Sequence, residues 1–333
     1  MEASAAPAVT RELRYDRTVS RELVHVRAVA EVFTTDAVQV GPDEFLVAVQ
    51  LPRVHTLWSD HRFSHHDPLI SMELGRQAVF QIIHQDYEIP VSWHFILRDV
   101  EFRVQELAAF DDDRRSPPEG VCRGRLLDRV DGDGFVNLRF EGDLSIAGVP
   151  AMAMTGAITG MRKDAYELLR GQTRGRKPLA QAPPPPRTAT ADPALVGRTV
   201  ARNVVLADPR APAADDGSFR YALVVDEAHP AFYDHPHDHV TGSLILELYR
   251  QAAIATAHRS GALPSPVAVV TRCALEFVDF AEPEALVECA AAVTSVDADG
   301  SVAVTVRLLQ LGAALGGAQL TLVPAQDATA GAG

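Results

Sequence analysis

The feature that most constrains this chain is an internal repeat. Residues 60–78, "DHRFSHHDPLISMELGRQA", return 174 positions later as residues 234–252, "DHPHDHVTGSLILELYRQA". Extended without a gap, residues 45–78 match 219–252 with 11 identities in 34 positions. Nine of them are His55/His229, Asp60/Asp234, His61/His235, His65/His239, Glu73/Glu247, Leu74/Leu248, Arg76/Arg250, Gln77/Gln251 and Ala78/Ala252. Core packing alone does not preserve polar identity at matched positions. A duplicated domain accounts for it most simply, because two copies fall short of the three or more repeats of a solenoid.

Both halves carry the same order of elements. "DAVQVGPDEFLVAVQLP" and "GSFRYALVVDE" place apolar and β-branched residues at alternate positions around Gly-Pro or Asp-Gly turns, which predicts strands. A helix follows in each: Leu69, Met72, Val79, Ile82 and Ile83 recur at helical spacing between Pro68 and Asp86, as do Leu244, Leu248, Ala252 and Ile254. Asp67 before Pro68, and Thr241 before Gly242, are expected N-caps. Three or four strand-like runs then complete each half, with "DGDG" at 131–134 and "DADG" at 297–300 as hairpin turns. One long helix followed by antiparallel strands predicts an α+β domain in which the sheet wraps the helix, a hot-dog architecture, here in tandem. The run "RGQTRGRKPLAQAPPPPRTATADPA" has no apolar period and four consecutive prolines, so it reads as an extended linker. The expected organisation is an N-terminal tail (1–20), a first domain (21–169), the linker (170–194), a second domain (195–325) and a C-terminal tail (326–333), with the halves packed as a pseudo-dimer around one continuous sheet.

A net charge of -13 argues against a nucleic-acid surface, which needs clustered basic residues. Cys122, Cys273 and Cys289 are far apart and odd in number, so neither a disulfide framework nor a Cys-x-x-Cys site is indicated and a reducing cytoplasm fits. The first residues lack the apolar core of a signal peptide, and no run of 18 apolar residues exists, so no membrane span is expected.

The repeated polar residues are the candidate site. Glu73 and Arg76, like Glu247 and Arg250, lie three apart on one helix face, where they form either a plain surface ion pair or part of a site. Each pair interrupts the most apolar segment of its half, which favours a site. His61, His65, His235 and His239 stand in the loop before each helix, with Asp60 and Asp234 directly ahead of the first histidine. They serve either loop hydrogen bonds, substrate orientation or catalysis. "HPHDH" offers histidines at zinc-like spacing, but Phe63 occupies the position of His237 in the first half and cannot ligate, so no metal is expected. His55 and His229 read as structural.

On these motifs, with "LVHVRAVAEVFTTDAVQVG", the chain resembles the AfsA-like A-factor biosynthesis family, proteins built of two AfsA-type hot-dog domains. The "DHPHDHVTGSLILELYRQA" motif is also similar to the loop and helix start of β-hydroxyacyl-ACP dehydratases. The family resemblance implies transfer of a β-ketoacyl group from an acyl carrier protein, on its phosphopantetheine arm, to the hydroxyl of dihydroxyacetone phosphate. The ester then condenses to a butenolide phosphate, a precursor of γ-butyrolactone, butenolide or furan signals, with no cofactor of the enzyme's own. By the same resemblance Glu73 and Glu247 are catalytic candidates, and Arg76 and Arg250 bind substrate. His61 and His235 are further catalytic candidates, and Asp60, Asp234, Gln77, Gln251, Gly242 and Ser243 further candidates for substrate contact, the last two because a helix N-terminus offers its backbone N–H groups. "TGSLILE" is the better helix start, since glycine lets substrate approach the backbone, so Glu247 is the expected base and the second half the dominant site. Partners are expected to be the carrier protein and dihydroxyacetone phosphate, with neither nucleic acid nor membrane; a homodimer is compatible. The alternatives are a dehydratase or thioesterase on the same scaffold, or a non-catalytic lactone-binding regulator.

Overall fold

A computed structural model describes residues 12–182, 185, 189–207, 214 and 217–328. Its first half runs β1 (Thr34–Gly41), β2 (Glu44–Gln50), α1 (Ile70–Gln85), β3 (His94–Val104), β4 (Glu119–Gly132), β5 (Phe135–Ile146) and β6 (Val149–Met161). After a connecting helix α2 (Lys163–Gly175), the second half runs β7 (Phe219–Ala222), α3 (Gly242–Arg259), β8 (Ala268–Phe277), β9 (Val287–Val296), β10 (Val302–Gln310) and β11 (Ala313–Pro324). The 11 strands form one antiparallel sheet in the order β1-β2-β4-β5-β6-β3-β8-β11-β10-β9-β7. The halves join where β3 pairs β8, from Asp99↔Glu276 to Arg103↔Arg272.

The sequence signals explain the elements. Gly134 (φ 79°) and Gly300 (φ 83°) close the β4–β5 and β9–β10 hairpins in the left-handed region, where a Cβ is strained. Thr241 caps α3, its Oγ1 accepting the Leu244 N–H at 3.4 Å. α1 begins later than its sequence signals suggest: Asp67 Oδ1 accepts the Leu69 N–H at 3.0 Å and so caps the turn that precedes the helix. Inward-facing apolar residues of both halves, from Phe33 and Phe45 to Leu320 and Leu322, belong to one buried core that surrounds α1 and α3. The sheet therefore wraps two helices as a double hot dog.

The extended linker expected from residue 170 does not start there. α2 continues to Gly175, because Tyr166 and Arg170, four apart on one face, are buried against the second half. Arg170 reaches Glu282 through Nη1 (3.0 Å) and Nη2 (2.9 Å) and Asp238 through Nε (3.0 Å). A polar 13-residue helix is marginal alone, and here tertiary contacts hold it. Five of the linker's residues, 183, 184 and 186–188, lie outside the described residues. Among the described residues, no helix is long and apolar enough to cross a membrane.

Candidate active site

Each half begins with two short 3-10 turns, Arg21–Val24 and Val29–Glu31 in the first, Pro193–Val196 and Ala201–Asn203 in the second. Their offset is 172, so the repeat extends toward the N-terminus of each half with a two-residue shift. His25 (φ 54°) and Gly197 (φ 71°) end the first turn of each pair in the same left-handed conformation. These turns decide what becomes of the duplicated Glu, Arg and Gln.

The repeated "DH" turns out to clamp one half to the other. Asp60 is buried, and its carboxylate accepts Thr199 N (2.8 Å), Thr199 Oγ1 (2.5 Å) and Asn203 Nδ2 (2.7 Å) across the interface. Asp234 does the reverse, accepting the Arg27 N–H at 2.7 Å and a short hydrogen bond from His235 Nδ1. Glutamine fixes each helix to its own turns: Gln77 donates to Glu31 O (2.7 Å) and accepts the Phe33 N–H (2.8 Å), while Gln251 donates to Asn203 O (2.7 Å) and accepts the Val205 N–H (3.0 Å). Gln77 and Gln251 are thus holders of backbone and carboxylate.

Around Glu247 this frame is closed. Glu247, Arg250 and Gln251 are all buried. Glu247 accepts from Arg250 Nη2 (2.8 Å), Gln251 Nε2 (2.5 Å) and, through Arg198, Nε (3.0 Å) and Nη2 (2.7 Å). Arg198 is itself fully buried and also donates to Leu57 O at 2.8 Å. Burial pushes the Glu247 carboxyl up, but the Arg198 and Arg250 guanidinium groups more than offset it and hold it down at about 2. No lone pair is left for a substrate proton. His61 is half-buried, its Nδ1 donating to Phe63 O (3.0 Å) and its ring stacked on Phe63.

Around Glu73 the same frame is open. Val26 stands at the position of Arg198, so among the described residues no second guanidinium reaches the carboxylate. Glu73 Oε1 accepts from Arg76 Nη2 (2.6 Å) and Gln77 Nε2 (2.6 Å), whereas among the described residues Oε2 accepts only from Arg76 Nε (2.8 Å). Burial opposes the charge on Arg76, but Glu73 outweighs it and raises the guanidinium above its ordinary value. Both side chains line a cavity of about 800 Å³, with Gly75 between them. A Cβ on Gly75 would stand 2.9 Å from Met154 Cε, and the matching residue of α3 is Tyr249, whose ring is fully buried. Glycine here leaves open a volume that tyrosine fills in the other half.

The far wall of this cavity comes from the second half: Asp234, His235, His237, Gly242 and Ser243 line it. The first intrahelical backbone bond of α3 is Ile245 N–H to Thr241 O (3.1 Å), so the N–H groups of Gly242 and Ser243 lie ahead of it at the positive end of the helix. The sequence-predicted residues therefore divide. Glu73, Arg76, Asp234, His235, Gly242 and Ser243 meet around one cavity, whereas Asp60, His61, Glu247, Arg250, Gln251 and Gln77 do not face it. Among the described residues, Asp234, His235 and His237 form the one grouping close enough to hold a metal ion, with ligand atoms within 4.8 Å of one another. Both oxygens of that aspartate already accept hydrogen bonds, from Arg27 and His235.

Several residues of the site carry no repeat identity and escape sequence reasoning. Arg198 is one; aligning "LVHVRAVAEV" with "LVGRTVARNV" at the 172 offset would have set it opposite Val26. Glu31 is another: it accepts from His55 Nε2 (2.8 Å), a repeated residue that the sequence marks only as structural, and both line the cavity. His25 is a third. Its ring meets His84 at 2.8 Å, and burial, then His84 and Arg76, lower it to about 3, so it is neutral.

Fold and site together define a double hot-dog protein with one open carboxylate–guanidinium unit in an apolar cavity shared by its halves. The A-factor biosynthesis hotdog domain matches residues 9–113 and 179–326. A 2-oxo-3-(phosphooxy)propyl 3-oxoalkanoate synthase of Streptomyces virginiae is 32% identical over 71% of this chain and 76% of its own length. A protein of the same name from Streptomyces coelicolor is 30% identical over 71% of each. The chain belongs to the AfsA family of A-factor biosynthesis hot-dog proteins. Among solved structures, the 12:0-ACP thioesterase of Umbellularia californica is similar in fold, at a TM-score of 0.50 and 10% identity over 84% of this chain and 94% of that one.

Proposed function

We propose that this chain is an acyltransferase that joins a β-ketoacyl group to the hydroxyl of dihydroxyacetone phosphate, with an acyl carrier protein thioester as donor. The names of the relatives describe synthases of such an ester. The observation that carries the reading here is the open Glu73–Arg76 pair on the wall of the 800 Å³ cavity, held from behind by Gln77. Met72, Val79, Phe80 and Phe95 supply apolar wall for an acyl chain, and dryness strengthens the charges at the reacting end.

In this reading Glu73 Oε2, the less engaged oxygen, takes the proton of the substrate hydroxyl. The hydroxyl oxygen attacks the thioester carbonyl; the C–O bond forms, and negative charge develops on the carbonyl oxygen. Two sources of donors face that charge: Arg76 Nη1, which makes no hydrogen bond among the described residues, and the Gly242 and Ser243 N–H groups. Collapse breaks the C–S bond, and the departing thiolate recovers the proton from Glu73. The carbon between the two carbonyls of the acyl group then gives up a proton and attacks the ketone of the dihydroxyacetone part; a C–C bond forms, and loss of the resulting hydroxyl as water gives the butenolide phosphate. Gln77 keeps Glu73 in place and Arg76 orients it, with no cofactor or metal involved; Glu247 and Arg250 are structural.

The test is mass spectrometry of the products from a β-ketoacyl thioester with and without dihydroxyacetone phosphate. An ester or butenolide phosphate only when the alcohol is present supports the reading. Hydrolysis or enoyl formation in its absence makes the chain a thioesterase or dehydratase instead. Activity that survives exhaustive chelation separates the metal-free mechanism from one based on Asp234, His235 and His237.

A further inference from the structure

The proposed acceptor carries a phosphate, and a phosphate needs a cation that is not already spent. Arg76 is held in two hydrogen bonds by Glu73. Arg123 and Lys163 also line the cavity, but Arg123 pairs with Glu44 (3.0 Å) and Lys163 with Glu167 (3.8 Å). Arg98 lines it as well, and among the described residues it makes neither an ion pair nor a side-chain hydrogen bond.

Its place in the sheet is specific. The register of β3 against β6 slips between Leu97↔Ile158 and Asp99↔Ala157, which leaves Arg98 as the extra residue of a β-bulge. Before the bulge, odd-numbered Phe95 and Leu97 pack inward; after it, even-numbered Val100, Phe102 and Val104 do. An unbroken strand would alternate and send position 98 to the outer face, where Asp99 pairs with Arg139. The bulge leaves Arg98, exposed and lining the cavity, at the seam of the two halves, beside the first β3–β8 pair, Asp99↔Glu276.

Resting on the function proposed above, we infer that Arg98 binds the phosphate of the acceptor and thereby selects dihydroxyacetone phosphate over unphosphorylated alcohols. Guanidinium suits this role, since its fork matches two phosphate oxygens. Because Arg98 is exposed, a dianion bound to it stays partly hydrated while the hydroxyl enters toward Glu73. The pantetheine arm of a carrier protein bears a phosphodiester too, so the experiment must tell the two sources apart.

The measurement uses full-length wild type, Arg98→Ala and Arg98→Lys with a β-ketoacyl N-acetylcysteamine thioester, which carries no phosphate, and with the same acyl group on carrier protein. Arg98→Ala should raise KM for dihydroxyacetone phosphate by roughly 10- to 100-fold, as expected for losing a charge-assisted bond, with kcat and both thioester KM values within about twofold. The preference for dihydroxyacetone phosphate over dihydroxyacetone should fall by the same factor, and lysine should restore part of it. A rise in KM for the carrier-bound thioester alone would assign Arg98 to the carrier and overturn the inference. If wild type esterifies neither alcohol, the proposed function fails; stabilisation of wild type by glycerol phosphate in a thermal melt, lost in Arg98→Ala, would still support phosphate binding at Arg98, and its persistence in the variant would overturn it.

Discussion

α1 and α3 descend from one design and end in opposite states. Every residue of α3 from Leu244 to Ala257 is buried, including its Glu, Arg and Gln, so it is a core helix with charge inside. α1 leaves Met72, Glu73, Gly75, Arg76 and Val79 only partly covered, a stripe at helical spacing that lines the cavity. Two exchanges produce the difference: Arg198 against Val26, which locks or frees the carboxylate, and Tyr249 against Gly75, which fills or empties the space beside it. A third, Asn203 against Glu31, changes the partner of the buried histidine: His229 meets an amide at 2.9 Å, and His55 a carboxylate at 2.8 Å. Duplicated residues thus diverge through neighbours that the duplication did not keep.

The largest effect should separate the two glutamates by function. Glu73→Gln keeps the shape of the Arg76 and Gln77 contacts but removes the proposed base, and kcat should fall by about 10²- to 10⁴-fold. Glu247→Gln should leave kcat of the folded protein within a few-fold of wild type. Comparable losses in both variants, measured on protein verified as folded, would mean that the buried Glu247 cluster supports catalysis directly and would break the comparison.

Stability should separate them in the opposite sense. Arg198→Met leaves Glu247 buried with one guanidinium fewer, and Glu247→Gln leaves two buried guanidinium groups without their anion. Breaking a buried pair costs about 3–5 kcal/mol, because an uncompensated charge stays behind. Glu73→Gln, at a half-open site, should cost under about 1 kcal/mol. Denaturant titration of the three variants checks this, and equal losses would show that the first site is as structural as the second.

Much of this architecture is legible in the sequence, and what is not has a physical reason. The 174 offset marks both helices, Thr241 marks the start of α3, and Gly134 and Gly300 mark their hairpins. Period-2 and period-3.6 patterns report which face is buried. They do not report whether a polar residue on a buried face is neutralised there, because that depends on a contact distant in sequence. Arg198 lies 49 positions from Glu247. "TGSLILE" is a better helix start than "DPLISME", yet cap quality bears on helix stability and not on access, so it points to the wrong half for an open carboxylate. α2 was hidden for a similar reason, since its few apolar residues give no pattern without Asp238 and Glu282 to receive Arg170.

Acid sharpens the same contrast at a smaller scale. Glu247 sits at about 2 in the folded chain against an ordinary 4.5, so its pairing stabilises fully above pH 4.5 and is lost as the pH falls through 2. Glu282, held to about 2 by Arg170 and Lys177 against its burial, acts in the same window. Each is worth on the order of 3 kcal/mol at neutral pH. Between pH 4.5 and 2, wild type should lose stability more steeply than Glu247→Gln, by one proton's worth of slope. Parallel curves would place the Glu247 carboxyl near its ordinary value and undo the locked-cluster account.

The smallest expected effect tests the glycine. Gly75 lies inside α1, where alanine is favoured over glycine by about 1 kcal/mol through backbone entropy alone. The added methyl would meet Met154 Cε at 2.9 Å and Sδ at 3.2 Å, the far end of a flexible side chain that can turn into the cavity. Gly75→Ala should therefore gain stability, by less than about 1 kcal/mol, while shrinking the space beside Glu73. The acyl chain then pays for the gain: kcat/KM for long β-ketoacyl thioesters should fall several-fold, with short ones little changed. A uniform loss across chain lengths would mean that Gly75 guards the reacting end rather than the acyl wall. No loss at any length would mean that the volume opened by replacing tyrosine with glycine is not where the acyl chain lies.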